Sequence, residues 1–362
     1  MTLTLRMRTL RLPLRDPFVI ARSSHGEGRS VTTVVVTLRD EADGEDGPVG
    51  IGEGYPDPYY GDTPETMGAV APLLLAALEP VQGDLRGGVD DVRAALEDAD
   101  GLMTAAIAHH GALKCAIDIA LHDLAGKRLG LPVRDLLGVT GEVPPTDFTL
   151  GIDEPAVVAE RARRAADFPA LKIKVGGPAD LETLEAVRRV FDGPIRVDAN
   201  TGWNPDDALA LLPALERLGV ELIEQPFPAR RYDQLRWLQE RSSLPIVADE
   251  SAVTIEDLDA LVGVTAGVNV KLAKCGGVGP ARRMLERARE LGFRTFLGCM
   301  EETSVGIAAS AAVSPLADWV DLDGCLLLAD DPVQGLEIGP DKRWRLPDAP
   351  GLGLTLDAAA TP

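Results

Sequence analysis

The residues of this chain best suited to acid–base chemistry are four lysines in two short motifs. Lys172 and Lys174 occur in LKIKVGG, and Lys271 and Lys274 occur in VNVKLAKCGG, whereas most of the other basic residues are arginines. A lysine ammonium can lose its proton when its surroundings lower its pKa, and a guanidinium effectively cannot. The motifs therefore indicate proton transfer by lysine. Lys271, which lies within the apolar run, is the preferred catalytic group of its motif, and Lys274 is expected in a loop.

Three carboxylates lie between the lysine motifs at an even spacing. Asp198, Glu224 and Asp249 each end a short apolar run, about one strand–helix unit apart. A single acidic residue at the end of a strand often caps the next helix. Three of them at matching positions indicate a shared site instead. Oxygen ligands without a nearby histidine or cysteine suit Mg²⁺, with positions left open for water or substrate.

The elements that would position these side chains are eight short apolar runs, which alternate with helical stretches from about residue 145. This alternation predicts a (β/α) barrel, in which active-site residues lie at the C-terminal ends of the strands. Lys172 and Lys174 would lie on the second strand and Lys271 on the sixth, on opposite sides of the barrel. The carboxylates would occupy the strands between them.

This arrangement would place an ammonium group on each side of the α-carbon of a substrate whose carboxylate binds the metal. One lysine could remove a proton from one face while the other returns a proton to the opposite face, through an enolate that the metal stabilises. The charges of the metal and of the neighbouring ammonium groups are expected to lower a lysine pKa toward the working pH.

The front of the chain has a different pattern. Strands are predicted up to about residue 60, including the β-branched run VTTVVVTL, and helices follow over residues 63–137. We therefore expect an α+β domain over residues 1–137 and a barrel over residues 138–330. The C-terminal segment, residues 331–362, is expected to return to the front domain.

Composition excludes several classes of function. The formal net charge of -21 argues against a nucleic-acid partner, which would need basic patches. The four cysteines are scattered without a CxxC pair, which is typical of a reduced, cytoplasmic protein. No apolar run has the length of a membrane span, and the start lacks a signal-peptide pattern, so no membrane partner is expected.

Two acidic pairs near the end of the barrel have an open interpretation from spacing alone. Asp321 and Asp323 are two residues apart on the eighth strand and could hold a cationic group, or could mark a solvated strand end. Glu301 and Glu302 follow the seventh strand, where one could face the site or both could lie in a solvated loop.

Taken together, the motifs resemble the muconate-lactonising subgroup of the enolase superfamily over nearly the whole chain. The matching segments are GIGEGYPDPYYGDTPET, ALKCAIDIALHDLAGKRLGLPVRDLLG, LKIKVGG, RVDAN, ELIEQP, VADES and VNVKLAKCGG. The resemblance implies a capping domain over a modified (β/α)7β TIM-type barrel and an essential Mg²⁺. It also implies Lys174 and Lys271 as the two acid–base residues, with Lys172 helping to hold the substrate carboxylate and lowering the pKa of Lys174.

Within the subgroup, the last strands resemble the dipeptide epimerase branch. DLDG carries Asp321 and Asp323, which the resemblance assigns to the α-ammonium of the substrate. TDFTLGI, with Thr149, is similar to the first strand of that branch, and LGCMEETS, with Cys299, Met300 and Glu301, is similar to its seventh-strand loop. The implied reaction inverts the α-carbon of the C-terminal residue of a dipeptide.

The front loop, IARSSHGEG, departs from the branch. His25 stands where epimerases of L-Ala-L-Glu tend to carry an arginine for the glutamyl side chain, and Arg22 is close by. The second residue of the substrate is therefore left open among glutamyl, neutral and cationic side chains. By analogy with the family, a homo-oligomer is expected.

Other functions are weaker alternatives. An N-acyl amino acid racemase, an o-succinylbenzoate synthase or a muconate cycloisomerase would keep the lysines and the metal ligands but would not need the paired carboxylates. A Schiff-base aldolase would use Lys174 or Lys271 as its nucleophile. A binding or structural protein would have no use for two opposed lysines.

Overall fold

The front of the chain forms a three-stranded antiparallel sheet. The computed structural model describes residues 3–22 and 28–362. The sheet order is β1 (Leu3–Pro13), β2 (Ser30–Asp40) and β3 (Val49–Gly54), so that β2 is central. The predicted run VTTVVVTL lies in β2, where β-branched side chains suit a pleated, half-buried surface.

Helices follow this sheet, as the sequence predicts. They are α1 (Pro64–Ala77), α2 (Val89–Ala106), α3 (Gly111–Leu129) and α4 (Val133–Leu137). Helix α1 begins with a capping box between Thr63 and Thr66. Helix α3 ends at Gly130, whose φ of 70° belongs to the left-handed region. It packs directly on β3, because a Cβ at Gly52 would overlap the carbonyl oxygen of Ala116.

The next strands form one parallel, barrel-like sheet of eight strands in chain order. They are β4 (Phe148–Leu150), β5 (Leu171–Lys174), β6 (Ile195–Asp198), β7 (Val220–Glu224), β8 (Ile246–Ala248), β9 (Gly267–Val270), β10 (Arg294–Gly298) and β11 (Trp319–Asp321). The first and last strands come together where the amide of Asp147 donates a hydrogen bond of 3.2 Å to the carbonyl of Val320.

Helices connect successive barrel strands, and one short helix follows the last strand. They are α5 (Pro155–Arg164), α6 (Asp180–Arg188), α7 (Pro205–Arg217), α8 (Tyr232–Gln239), α9 (Leu258–Leu261), α10 (Leu272–Cys275), α11 (Val278–Glu290), α12 (Ser304–Val313) and α13 (Gly324–Leu327). Seven strand–helix units followed by a final strand confirm the predicted (β/α)7β barrel with an α+β capping domain.

The C-terminal segment contains the short strands β12 (Val333–Gln334), β13 (Glu337–Ile338), β14 (Trp344–Arg345) and β15 (Thr355–Leu356). It contacts the capping domain, since Arg8 Nη1 donates to the carbonyl of Thr361 at 2.9 Å. It also contacts the barrel, since Trp344 Nε1 donates to the carbonyl of Leu322 at 2.8 Å. The exact domain boundaries stay a prediction.

Among the helices of the described ranges, none combines the length and the apolar character that a membrane crossing requires.

Candidate active site

The three predicted carboxylates lie together at the C-terminal ends of neighbouring strands. Asp198 ends β6, Glu224 ends β7, and the two residues are register partners. Asp249 comes directly after β8 rather than at its end. One oxygen from each side chain lies within 4.8 Å of the others, and all three residues are fully buried.

The hydrogen bonds around this trio leave room for a cation. Asn269 Nδ2 donates to Glu224 Oε1 at 2.7 Å, while the buried Glu224 Oε2 has no hydrogen-bond partner in the described part of the chain. Burial, followed by the charge of Asp198, raises the pKa of Glu224 to about 7. A set of three buried carboxylates, one with an oxygen that accepts no hydrogen bond, fits a hard divalent cation such as Mg²⁺.

The lysines that sequence analysis selects contact opposite ends of the trio. Lys174 Nζ donates to Asp198 Oδ2 at 2.6 Å from the adjacent strand β5. Lys271 Nζ donates to Asp249 Oδ2 at 3.0 Å from the position just after β9. Strands β6, β7 and β8 lie between these lysines on one side, and β10, β11 and β4 on the other. The two ammonium groups therefore approach the site from opposite walls of the barrel.

The pKa of Lys271 is shifted upward, whereas the sequence analysis expects a lysine pKa to be lowered. Burial and the charge of Lys172 lower the pKa of Lys271, but the charge of Asp249, helped by Glu224 and Asp198, raises it above its ordinary value. A cation shared by the same carboxylates would offset this effect. Occupancy of the cation site would therefore favour the neutral amine of Lys271.

Lys172 is fully buried and has a partner that the sequence did not indicate. Its ammonium forms a short ion pair with Asp321 and lies 3.3 Å from Glu224 Oε2 and 3.7 Å from Asp198 Oδ2. These carboxylates outweigh burial and raise the pKa of Lys172 well above its ordinary value. Lys172 is thus a fixed positive charge that joins the trio to the end of β11.

Asp321 and Asp323 are buried side by side, so the interpretation as a solvated strand end is wrong. Thr149 holds both: its amide donates to Asp323 Oδ2 at 2.6 Å, and its hydroxyl donates to Asp321 Oδ1 at 2.9 Å. Burial, then the charge of Asp321, raises the pKa of Asp323 to about 8. The pKa of Asp321 is lowered, because the charge of Lys172 outweighs burial.

A cavity of about 550 Å³ lies over these groups, between the barrel and the capping domain. Its lining includes all three predicted catalytic lysines, Thr149, Asp321 and Asp323, and also the predicted Arg22, Cys299, Met300 and Glu301. Aromatic residues that sequence analysis did not select line it as well, namely Phe18, Tyr55, Tyr59 and Tyr60. The predicted His25 lies outside the described residues.

Arg22 is already engaged by the protein. It forms an ion pair of 3.0 Å with Glu250, and its guanidinium lies 4.0 Å from the ring centre of Tyr59. Asn200 Nδ2 also donates to Glu250 at 3.2 Å. Burial, followed by the charge of Asp249, raises the pKa of Glu250 to about 7. The sequence contains a signal that could have placed Asn200 and Glu250 near the site. Each closely follows a predicted metal ligand, in RVDAN and VADES.

Lys274 is the clearest correction to the sequence analysis. It lies in α10, not in a loop, and its side chain is completely buried. Its ammonium donates to Asp249 Oδ1 at 2.5 Å and to the carbonyls of Asp249, Asn269 and Ala252 at 2.7, 2.9 and 3.0 Å. Lys274 therefore holds one side of Asp249 while Lys271 contacts the other.

The comparisons with known proteins agree with this geometry. Residues 2–138 match the N-terminal domain of the mandelate racemase / muconate lactonizing enzyme family, and residues 156–360 match the enolase C-terminal domain-like family. The chain belongs to the enolase superfamily, as its motifs predict.

Several relatives carry substrate names. The L-Ala-D/L-Glu epimerase of Bacteroides thetaiotaomicron is 38% identical over 95% of this chain and 85% of that protein. The L-Lys-D/L-Arg epimerase of Methylococcus capsulatus is 36% identical over 97% of this chain and 98% of that protein. The crystal structure of an Enterococcus faecalis dipeptide epimerase with Mg and L-Leu-L-Tyr is 32% identical, with a TM-score of 0.83 over 98% of this chain and 100% of that chain.

Proposed function

We propose that this protein is a Mg²⁺-dependent dipeptide epimerase, an isomerase that inverts the α-carbon of the C-terminal residue of a dipeptide. The observation that carries the proposal is the joint placement of Asp321, Asp323, Lys174 and Lys271 around one cavity. Two relatives named as epimerases of different dipeptides, and the structure of a dipeptide epimerase with Mg and a third dipeptide, support it.

Lys174 and Lys271 transfer the proton. One of them, as the neutral amine, accepts the α-proton while the electron pair of the C–H bond stays with the substrate. The other, as an ammonium, donates a proton to the opposite face, so that a new C–H bond forms with inverted configuration. Their contacts with Asp198 and Asp249 hold the two amines on opposite sides of the trio. When bound by Asp198, Glu224 and Asp249, Mg²⁺ would supply positive charge to offset the charge that develops on the substrate carboxylate.

Asp321 and Asp323 bind the α-ammonium of the first residue. Asp321 is paired with Lys172, whereas Asp323 forms no ion pair with any described residue. A buried carboxylate is costly without a cation, and a dipeptide supplies one. An N-acyl amino acid, a succinylbenzoate precursor or muconate has no such ammonium. These alternative substrates are therefore not favoured.

The test is deuterium exchange over a dipeptide library in heavy water with Mg²⁺, read by mass spectrometry. Incorporation at the α-carbon of the C-terminal residue is expected, and its absence for every dipeptide would contradict the proposal. Asp323→Asn is the variant that tests the ammonium site. Asp321→Asn is less suitable, because it would also remove the ion-pair partner of Lys172. We expect exchange with dipeptides to fall roughly 100-fold, as for removal of a buried charge partner, while any exchange with N-acyl amino acids is retained.

Three further expectations remain proposals. Cytoplasmic location is supported by the four cysteines, which are all free thiols in the structure. The expectation of a small-molecule substrate and no nucleic-acid partner is supported by the net charge of -21. The domain boundaries after residues 137 and 330 are supported by the change in strand and helix pattern along the chain. A homo-oligomeric state is supported by analogy with the family.

A further inference from the structure

We propose that Glu301 makes the enzyme select dipeptides whose first residue has a cationic side chain, of the lysine or arginine type. The inference rests on the proposed function and goes further, because it assigns the substrate class of one subsite. Glu301 lines the cavity as part of the loop that follows β10.

The first step of the argument is the position of this loop beside the proposed ammonium site. Gly298, at the end of β10, is the register partner of Asp321 on β11. Gly324, directly after Asp323, packs so closely on the loop that a Cβ there would overlap the carbonyl oxygen of Met300. A first residue whose ammonium binds between Asp321 and Asp323 therefore has its side chain next to residues 299–301.

The second step is the state of the Glu301 carboxylate. The Tyr55 hydroxyl of the capping domain lies close to it. Burial, followed by the charge of Glu301, raises the pKa of the Tyr55 hydroxyl well above its usual value, so Tyr55 remains neutral beside the carboxylate. No described lysine or arginine lies within ion-pair distance of Glu301, so its carboxylate is available to a cationic group of a ligand.

The third step concerns the other charged side chains that line the cavity. In the described part of its lining, the lysines at the base contact carboxylates of the barrel, and Arg22 is held by Glu250. Glu301 adds a negative charge at the level of the substrate side chain. A cationic side chain would be attracted and a carboxylate side chain repelled there.

The experiment compares L-Lys-L-Leu with L-norleucyl-L-Leu, which has a first side chain of similar length without charge. Leucine is used at the second position because the apolar Phe18 and Ile20 line the cavity, and the Phe18 ring centre lies 6.0 Å from Lys174 Nζ. The ratio of kcat/KM for the two dipeptides, measured by α-deuterium exchange, is expected to be about 10, the size of a partly desolvated charge pair. It should fall as salt is raised.

Glu301→Gln should bring this ratio close to 1, since it removes the charge and keeps the shape. The matched control is Asp57→Asn, which neutralises another carboxylate in the cavity lining, on the capping-domain side. It should leave the ratio unchanged. Loss of the preference in Asp57→Asn alone would overturn the assignment to Glu301.

The two proposals fail in different ways. If no dipeptide exchanges deuterium, the proposed function is wrong. If L-norleucyl-L-Leu is epimerised at least as well as L-Lys-L-Leu, dipeptide epimerisation stands and the cationic preference is wrong. Because the ratio is taken within each variant, a general loss of folding or activity in Glu301→Gln does not imitate the expected result.

Discussion

The buried ammonium of Lys274 donates a hydrogen bond of 2.5 Å to Oδ1 of Asp249. Lys271 contacts Oδ2 of the same carboxylate at 3.0 Å. Asp249 is thus held between two lysines of one motif, and their charges outweigh burial and lower its pKa well below the usual range. The motif VNVKLAKCGG therefore supplies one lysine that lines the cavity and one that fixes a carboxylate of the trio.

We expect Lys274→Met to destabilise the protein by about 3–5 kcal/mol, because it leaves Asp249 with one partner fewer and strands three backbone carbonyls. The measurement is urea unfolding at neutral pH. Lys342→Met is the control, since Lys342 pairs with the exposed Asp167, and it should cost about 1 kcal/mol or less. Equal losses in the two variants would contradict the role of Lys274.

Magnesium should stabilise the protein through Glu224. At a concentration of about 100 times its Kd, a bound ligand adds about 2.7 kcal/mol to the free energy of unfolding. We expect a corresponding rise in Tm with Mg²⁺, and its loss after treatment with EDTA or in Glu224→Gln. Glu221→Gln is a matched control on the same strand, because Glu221 contacts Arg196 and Trp319 instead of the trio. If Glu224→Gln kept the full rise, the assigned site would be wrong.

The raised pKa of Asp323 predicts a pH dependence of stability. An ordinary aspartate titrates near pH 3.9, whereas Asp323 titrates at about 8 in the folded protein. The folded state therefore binds the extra proton between these values, and the contribution of Asp323 to the free energy of unfolding falls as pH rises through that window. Asp323→Asn should be more stable than the wild type at pH 9, with a smaller difference at pH 5.

Asp321→Asn provides a control of opposite sign. The pKa of Asp321 is lowered in the folded protein, so its carboxylate contributes stability above its unfolded pKa and loses it as pH falls through the folded pKa. This variant should be less stable than the wild type at pH 7 and above. Unfolding curves that shift in the same direction at pH 9 for both variants would contradict the assigned charges.

The parts of the site that could be predicted from the sequence are those set by strand periodicity. Asp198 and Glu224 end neighbouring strands and are register partners. Their separation of one strand–helix unit was therefore sufficient to predict that they lie close together. The opposition of Lys174 and Lys271 follows equally from counting strands around a barrel.

The parts that could not be predicted depend on contacts between distant elements. The sequence predicts a loop position for Lys274 because Lys271, not Lys274, lies within the apolar run. Its place in α10 was not predictable, because three of its acceptors are backbone carbonyls, which leave no side-chain pattern in the sequence. The pairing of Lys172 with Asp321 joins β5 to β11 past the intervening strand β4. Arg22 was expected near the substrate side chain, but its pairing with Glu250 depends on how the capping domain sits on the barrel.

The most direct test of the two-lysine account is stereospecific exchange in single variants. In heavy water, Lys271→Ala should incorporate deuterium at the α-carbon of only one epimer of the C-terminal residue, and Lys174→Ala at that of only the other. Neither variant should convert one epimer into the other at a measurable rate. If one variant exchanged both epimers, or if both variants exchanged the same epimer, the two lysines would not serve opposite faces and the account would be contradicted.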